Sequence, residues 1–400
     1  MKILVINSGS SSIKFQLWNM DNHTVLCTGL IERIGLDDGI FNYRPDEGET
    51  TRDVLPIPNH TTGIKLLLDR ITDKNSGVIP SIEEISAVGH RIVHGGDKIT
   101  KSELMTPEII QIVKEASSLA PLHNPPNLAG IEAIEQLLPG IPNVGVFDTA
   151  FHSTMPPEAY IYPLDYKYYT EHGIRRFGFH GTSHNYVALQ GAKMLGIAPD
   201  KFNCVTCHMG NGVSLTAVKN GKSVDTTLGF GTMCGVMMGT RAGDLDPAII
   251  LHLQDVLGMS TKEVNNLIYK ESGLKGISGL SNDARDVDEA AQKGNERAIL
   301  ALKLFAHGAR KYIAALASDL GGRLDAIIFT AGIGENSINL RKMCCQGLEV
   351  LGAYLDTEKN TVRGKQAVIS TTDSPVKILV VPTNEELMIA MDTERIVKAL

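Results

Sequence analysis

Four hundred residues, 43% hydrophobic and 21% charged, exceed one ordinary hydrophobic core, so the chain reads as two domains of a globular protein. The net charge of −7 comes with mixed signs and no basic run, which argues against a nucleic-acid partner or an anionic membrane surface. MKILVINSGS is neither a signal nor a transit peptide, and no apolar stretch approaches the ~18–20 residues of a transmembrane helix, so the expected location is cytoplasmic.

In chain order, residues 2–7 (KILVIN) read as a buried strand. Residues 12–18 (SIKFQLW) alternate as a half-buried strand does, with Ile13, Phe15 and Leu17 on one face. Ser8-Gly9-Ser10-Ser11 is the turn between them. Residues 36–58 are polar, carry DDG and PDEGE, show no period, and read as a surface excursion. Helices are expected at 106–119, 127–138 and 183–195. A second strand–turn–strand then runs VTCH, MGNG, VSLTAV, with Gly210 in the place of Gly9. Asn220-Gly221 is a two-residue hairpin turn. Helices follow at 246–257 and 295–319. AIIFTAG (326–332) and VKILVVP (376–382) are buried-strand candidates, and 384–400 is helical with Glu385 in the first turn. No solenoid period is present.

Two glycine turns in matching settings, about 200 residues apart, predict a duplicated α/β fold whose halves bracket a nucleotide. Glycine lets the backbone approach an anion and presents N–H groups to it. AGIGEN (331–336) follows a strand and opens a helix, another place where a phosphate is favoured. Arg91 in GHRIVHGG and Arg241 in MGTRAGDLDP stand among glycines, where two guanidinium groups could clamp a carboxylate and a phosphate. Asp148 ends the apolar run NVGVFD, and Glu385 follows VKILVVP; either could meet Mg2+ at a strand end.

Three motif matches fail on context. Cys204-Val-Thr-Cys207-His208 has the spacing of a c-type haem attachment but lies in strand-like sequence without an export signal. Gly221-Lys222-Ser223 lacks the earlier glycine of a P-loop, Thr216 standing there. His90/His94 and His180/His184 have a zinc-binding spacing, but both pairs read as non-helical and lack the glutamate of a zinc hydrolase. The six cysteines are scattered, as reduced thiols would be.

NSGSSSIKF (7–15), GHRIVHGG (89–96), APLHNP (120–125), VFDTAFH (146–152), RFGFHGTSH (176–184), HMGNGVS (208–214), MGTRAGDLDP (238–247), GISGLSNDARD (276–286), AGIGEN (331–336) and PTNEE (382–386) together resemble the acetate kinase family, in the family's order and across nearly the whole chain. The resemblance implies a duplicated actin-like, ribonuclease H-like ATPase fold with two domains flanking a nucleotide cleft. Residues 1–150 with 384–400 would form the first domain, and 151–383 the nucleotide-binding second. It implies Mg2+-dependent (or Mn2+-dependent), reversible transfer of the ATP γ-phosphate to acetate, giving acetyl phosphate and ADP, by a cytoplasmic homodimer.

By the same resemblance, Asn7 and Glu385 match metal positions. Lys14, the run His208, Met209, Gly210, Asn211 and Gly212, the run Asp283, Ala284 and Arg285, and the run Ala331, Gly332, Ile333, Gly334 and Glu335 match ATP-contacting positions. Arg91 matches the acetate-binding residue, with Val93, Leu122 and Phe179 around the methyl group and His123 as a further substrate-binding candidate. Asp148 matches the catalytic acid; His180 and Arg241 match the transition-state stabilisers. Acetate is ionised at neutral pH and needs no general base, so positive charge and positioning are what such a transfer requires. One departure stands out: relatives carry Thr-Pro-Leu-Glu-Gly where this chain has Gly231-Thr232-Met233-Cys234-Gly235. Thr232 thereby replaces a pocket proline, which leaves a propionate kinase open as an alternative. A nucleotide switch of the actin or chaperone kind would use the same turns, but gives Arg91, His180 and Arg241 no purpose.

Overall fold

The computed structural model describes residues 1–400. Its chain forms two compact units, one of Met1–Phe151 with Asn384–Leu400, the other of His152–Thr383. The first unit holds an eight-stranded sheet built from β1 (Lys2–Ser8), β2 (Ser12–Asn19), β3 (Thr24–Glu32), β4 (Leu36–Pro45), β5 (Thr51–Ile57), β6 (Ile85–Ile92), β7 (Glu103–Leu104) and β8 (Asn143–Phe147). The second holds six strands, β9 (Cys204–Met209), β10 (Val213–Lys219), β11 (Lys222–Thr226), β12 (Ala326–Thr330), β13 (Ala367–Val368) and β14 (Lys377–Val380).

The two sheets repeat one plan. In the first, the order is β5-β4-β3-β2-β1-β6-β8-β7; in the second it is β11-β10-β9-β12-β14-β13. The leading strand (β1 or β9) turns back antiparallel into its neighbour, then lies parallel to β6 or β12 on its other side. Each sheet ends in a two-residue antiparallel edge strand. The repeat extends to hydrogen bonds at the strand ends. Asp148 N–H donates to Ile92 O at 2.9 Å, and Val381 N–H donates to Phe329 O at 3.0 Å. Asp148 and Val381 are therefore equivalent positions, charged in one copy and apolar in the other.

Residues 36–58 are not a surface excursion. They form β4 and β5, which extend the first sheet. Phe41 and Tyr43 point into the core, while Asp37, Asp38 and Arg44 face water. Turn residues at both ends hide this short alternation.

Successive side chains of β1 serve opposite faces. Leu4 and Ile6 pack with Ile64, Leu67 and Ile134 of the helices His60–Ile71 and Asn124–Leu137. Ile3 and Val5 pack with Ile389 and Ala390 of the C-terminal helix Glu385–Val397. That helix starts at Asn384, whose side chain accepts from Leu387 N–H at 3.0 Å. It lies tightly on β6, because a Cβ at Gly89 would stand 2.4 Å from Thr393 Oγ1 and 2.8 Å from Ile389 Cγ2. Gly89 therefore sets how closely the helix approaches, and with it the place of Glu385 beside Arg91.

His90, on β6, is buried with Nε2 2.8 Å from Asn143 Oδ1. Burial lowers its pKa to about 4. The native ring thus stays neutral while an unfolded histidine protonates near 6.5. Stability from this residue is complete above pH 6.5 and is lost as pH falls toward 4, by about 3 kcal/mol at most. Urea melts of wild type and His90→Gln at pH 7 and pH 4.5 check this: the variant should lose less stability on acidification.

Candidate active site

In the first unit the decisive side chains come from neighbouring strand ends. Arg91 on β6 and Asp148 just after β8 form a two-pronged pair, Nε to Oδ1 at 3.0 Å and Nη2 to Oδ2 at 2.7 Å. Glu385 Oε2 lies 3.7 Å from Arg91 Nε. The Asp148 carboxylate, at 2% exposure, holds the Arg91 guanidinium still more firmly protonated than usual. Burial raises the pKa of Glu385, Arg91 opposes this, and Asp148 and Glu386 add to it. Lys14 pairs with Glu386, not with Glu385. Asn7 lies opposite Lys14 in the β1–β2 ladder.

The backbone after β6 is held by amide side chains. Val93 N–H donates to Asn127 Oδ1 at 3.1 Å, and Asn127 Nδ2 donates to Ser8 O at 2.7 Å, tying this loop to the first glycine turn. His123 caps the start of Asn124–Leu137 without a side-chain cap bond. Leu122 is 75% exposed.

In the second unit the glycine turn 210–212 joins β9 to β10, closed by Gly210 N–H donating to Gly212 O at 3.0 Å. Its counterpart closes with Gly9 N–H on Ser12 O at 2.7 Å, one residue wider. A Cβ at Gly212 would stand 3.4 Å from His180 Nε2 and 3.6 Å from Arg241 Nη1, so the turn backbone, the imidazole and the guanidinium converge. Arg241 Nη1 donates to Thr232 O at 2.9 Å, and burial lowers its pKa. His180 adopts a left-handed φ of 56° at the start of the helix Gly181–Leu195, and Ala331 adopts a φ of 62° right after β12. Side-chain-bearing residues in this region carry strain that the surroundings must hold, a mark of functional turns. Gly212→Ala would press the His180 ring, 3.3 Å away at Cε1, aside by a few tenths of an ångström, and should lower activity by up to about 10²-fold with little change in Tm. Turnover and thermal melts of the purified variant check it.

His180 belongs to a buried cluster. Its ring stacks on His208, centroids 4.1 Å apart. Its Nδ1 is 2.8 Å from Ser214 Oγ, and His184 Nε2 is 2.7 Å from the same oxygen. His208 Nδ1 is 2.8 Å from Ser183 Oγ, which donates to Thr383 Oγ1 at 2.9 Å. His184 lies in the helix Gly181–Leu195, where the expected helix at 183–195 puts it, although the His180/His184 pair reads as non-helical. The two ring nitrogens of His184 face the hydroxyls of Thr206 and Ser214.

An open cavity of about 1010 Å³ adjoins the turn. Of the residues the sequence singled out, Gly210, Asn211, Asp283, Ala284, Arg285, Gly332 and Ile333 line it. His208, Met209, Gly212, Ala331, Gly334 and Glu335 do not; His208 and Met209 are buried in β9, and Glu335 accepts from Thr383 N–H at 3.1 Å. Phe179 is buried, its carbonyl 2.9 Å from His152 Nε2. Asp288, Glu289 and Gln292 also line the cavity and were missed. With Arg285 they recur at three-, four- and seven-residue steps along the helix Ala284–Gln292, so one helix face carries the signal.

The acetokinase family profile matches residues 2–391. The chain belongs to the acetokinase family. It is 53% identical over 398 residues to the acetate kinase of Desulfitobacterium hafniense (strain DSM 10664 / DCB-2), covering 100% of both chains. The crystal structure of Porphyromonas gingivalis acetate kinase superposes with a TM-score of 0.96 at 46% identity, covering 99% of each chain. A propionate kinase from Francisella tularensis subsp. tularensis SCHU S4 superposes with a TM-score of 0.91 at 40% identity, covering 98% of this chain and 99% of that one. This acetokinase family member is thus a kinase with the family's two-sheet α/β fold. No helix in it is long and apolar enough to cross a membrane.

Proposed function

We propose that the protein transfers the γ-phosphate of ATP to acetate, reversibly and with Mg2+, giving acetyl phosphate and ADP. The observation that carries this is the convergence of His180 Nε2 and Arg241 Nη1 on the backbone at Gly212. A phosphoryl group over that turn meets backbone N–H groups, a guanidinium and an imidazole, the donors that stabilise charge on the moving group. The cavity at Gly210, Asn211, Asp283 to Arg285, Gly332 and Ile333 is of nucleotide size, and we assign ATP or ADP to it. Arg91, held rigid by Asp148, is assigned to the acetate carboxylate, with Val93 and Leu122 of the same unit assigned to its methyl group. Asp148 is assigned to holding Arg91, as their two-pronged pair supports, and no general base is needed because a carboxylate nucleophile has no proton to lose.

Asn7 and Glu385 would hold the metal. The residues fit: both offer oxygen, as Mg2+ prefers, and Glu385 is a half-buried carboxylate with two further carboxylates, Asp148 and Glu386, acting on it. The bound cation would neutralise charge on the phosphates. Cytoplasmic location and a homodimer belong to the same reading. The helix Pro247–Asp255 has no buried residue and, with its flanks, exposes Leu245, Leu251, Val256 and Leu257, an apolar surface that a second copy would cover.

Protein, ATP, Mg2+ and acetate with hydroxylamine should yield acyl hydroxamate, and chelation with EDTA should stop it. A purified, folded protein that makes none, and makes no ATP from ADP and acetyl phosphate, sinks the proposal. The propionate reading draws on Thr232 in place of the family's pocket proline and on the Francisella neighbour. Rates on the two acids compare them directly, since one methylene discriminates by only about 1–3 kcal/mol.

A further inference from the structure

We infer that Ser214 is a positioning residue that fixes the tautomer of His180, so that the neutral ring carries its proton on Nδ1 and can donate from Nε2 only as an imidazolium. The inference rests on the role proposed above for His180 and deepens it.

It follows from counting protons along one buried chain. The links are His180 Nδ1 to Ser214 Oγ at 2.8 Å, Ser214 Oγ to His184 Nε2 at 2.7 Å, and His184 Nδ1 to Thr206 Oγ1 at 2.7 Å. Thr206 Oγ1 then donates to Thr216 O at 3.4 Å. Each hydroxyl has one proton to give, and a neutral imidazole has one donor and one acceptor nitrogen. Thr216 O can only accept, so it sets the direction. Thr206 gives its proton to that carbonyl and accepts from His184 Nδ1. His184 Nε2 is then an acceptor and takes the Ser214 proton. Ser214 is left to accept from His180 Nδ1.

The reverse direction closes three hydrogen bonds instead of four, because Thr206 would turn from Thr216 O to His184. In a buried site the lost bond is not replaced by water, so the four-bond direction is favoured. The scheme needs a neutral His184. That ring is fully buried, has both nitrogens on hydroxyls, and lies between the rings of His152 at 5.7 Å and His208 at 6.1 Å. Burial and those two histidines push its pKa well below the ordinary value.

Groups that face His180 include Ser214 from β10, the stacked His208 from β9, and Arg241 beside Gly212. None is an anion. With the proton of the neutral ring on Nδ1, donation from Nε2 to an anion such as a phosphoryl group needs a second proton on the ring. Ser214 thereby couples proton uptake at His180 to the presence of that anion. It also denies His180 the alternative of donating from Nε2 while neutral.

The test is nitrogen NMR of the full-length protein with 15N-labelled histidine, His180 being assigned by its loss in His180→Asn. At high pH the wild-type ring should show Nδ1–H. Ser214→Ala should move the proton to Nε2, and Ser214→Thr should restore the wild-type pattern. In kinetics, wild-type kcat/KM should decline by about tenfold per pH unit on its alkaline limb, and Ser214→Ala should flatten that limb. A neutral wild-type ring with Nε2–H overturns the inference, even if Ser214→Ala does not fold. So does a Ser214→Ala protein with unchanged tautomer and profile. His180→Asn with undiminished activity would instead defeat the catalytic role of His180, and the NMR result would stand apart from it.

Discussion

Arg241→Ala should lower kcat by about 10²–10³-fold in both directions while leaving the protein folded, the loss reported for removing one transition-state donor being about 2.7–4 kcal/mol. Two observations separate the effects on rate and on stability. Arg241 Nη1 stands at the Gly212 turn, where any phosphoryl group held by the backbone would be. Its hydrogen bonds go to Thr232 O at 2.9 Å and to Met238 Sδ at 3.4 Å, a carbonyl and a thioether, so they do not neutralise the charge. Burial acts against the cation, as its lowered pKa shows. Removing it relieves that desolvation and forfeits the hydrogen bond to Thr232 O, worth about 1 kcal/mol, with the weaker one to Met238 Sδ, and gain and loss nearly cancel. Arg241→Lys keeps the charge but loses the planar fork and should fall between. Turnover and Tm measured together decide the matter; a folded Ala variant with near-normal kcat would refute it.

The opposite balance is expected at Arg91. Arg91→Ala should destabilise the first unit by about 3–5 kcal/mol, because it strands a carboxylate that is 2% exposed. Asp148 would then lie near Glu385 with its two-pronged partner gone. Acetate KM should rise in any folded remainder. The double variant Arg91→Ala/Asp148→Ala should recover a large part of the stability and none of the activity. Denaturant melts of the four proteins form a closed cycle, and additive losses would show that the pair is not coupled.

How much of this was legible follows from the range of each interaction. The paired strands around Gly9 and Gly210, the buried strands β12 and β14, and the helices expected at 106–119, 127–138, 183–195, 246–257, 295–319 and 384–400 are local patterns, displayed as alternation or helical spacing, whereas the helices His60–Ile71, Thr261–Lys270 and Ala284–Gln292 were not read. Asp148 and Glu385 could be placed at strand ends for the same reason. β4 and β5 were missed because Asp37-Asp38-Gly39 and Pro45-Asp46-Glu47-Gly48 mark turns on both sides of a short alternation. Pro56 also sits within β5, tolerable only because β5 is an edge strand. The histidine–hydroxyl chain was illegible in principle. It needs a helix residue, His184, set against Thr206 and Ser214 on two strands, and only tertiary packing supplies that. The arginines show as sequence motifs, but the partners that tell a held guanidinium from a solvated one do not.

The C-terminal helix has a consequence for synthesis. Residues 384–400 complete a sheet face whose strands leave the ribosome first, while His152–Thr383 is contiguous in the chain. The first unit therefore keeps Ile3 and Val5 uncovered until residues 384–400 have been made. The contiguous unit needs no such wait. A nascent chain stalled before residue 384 would expose an apolar seam for chaperones, and would lack Glu385 until release.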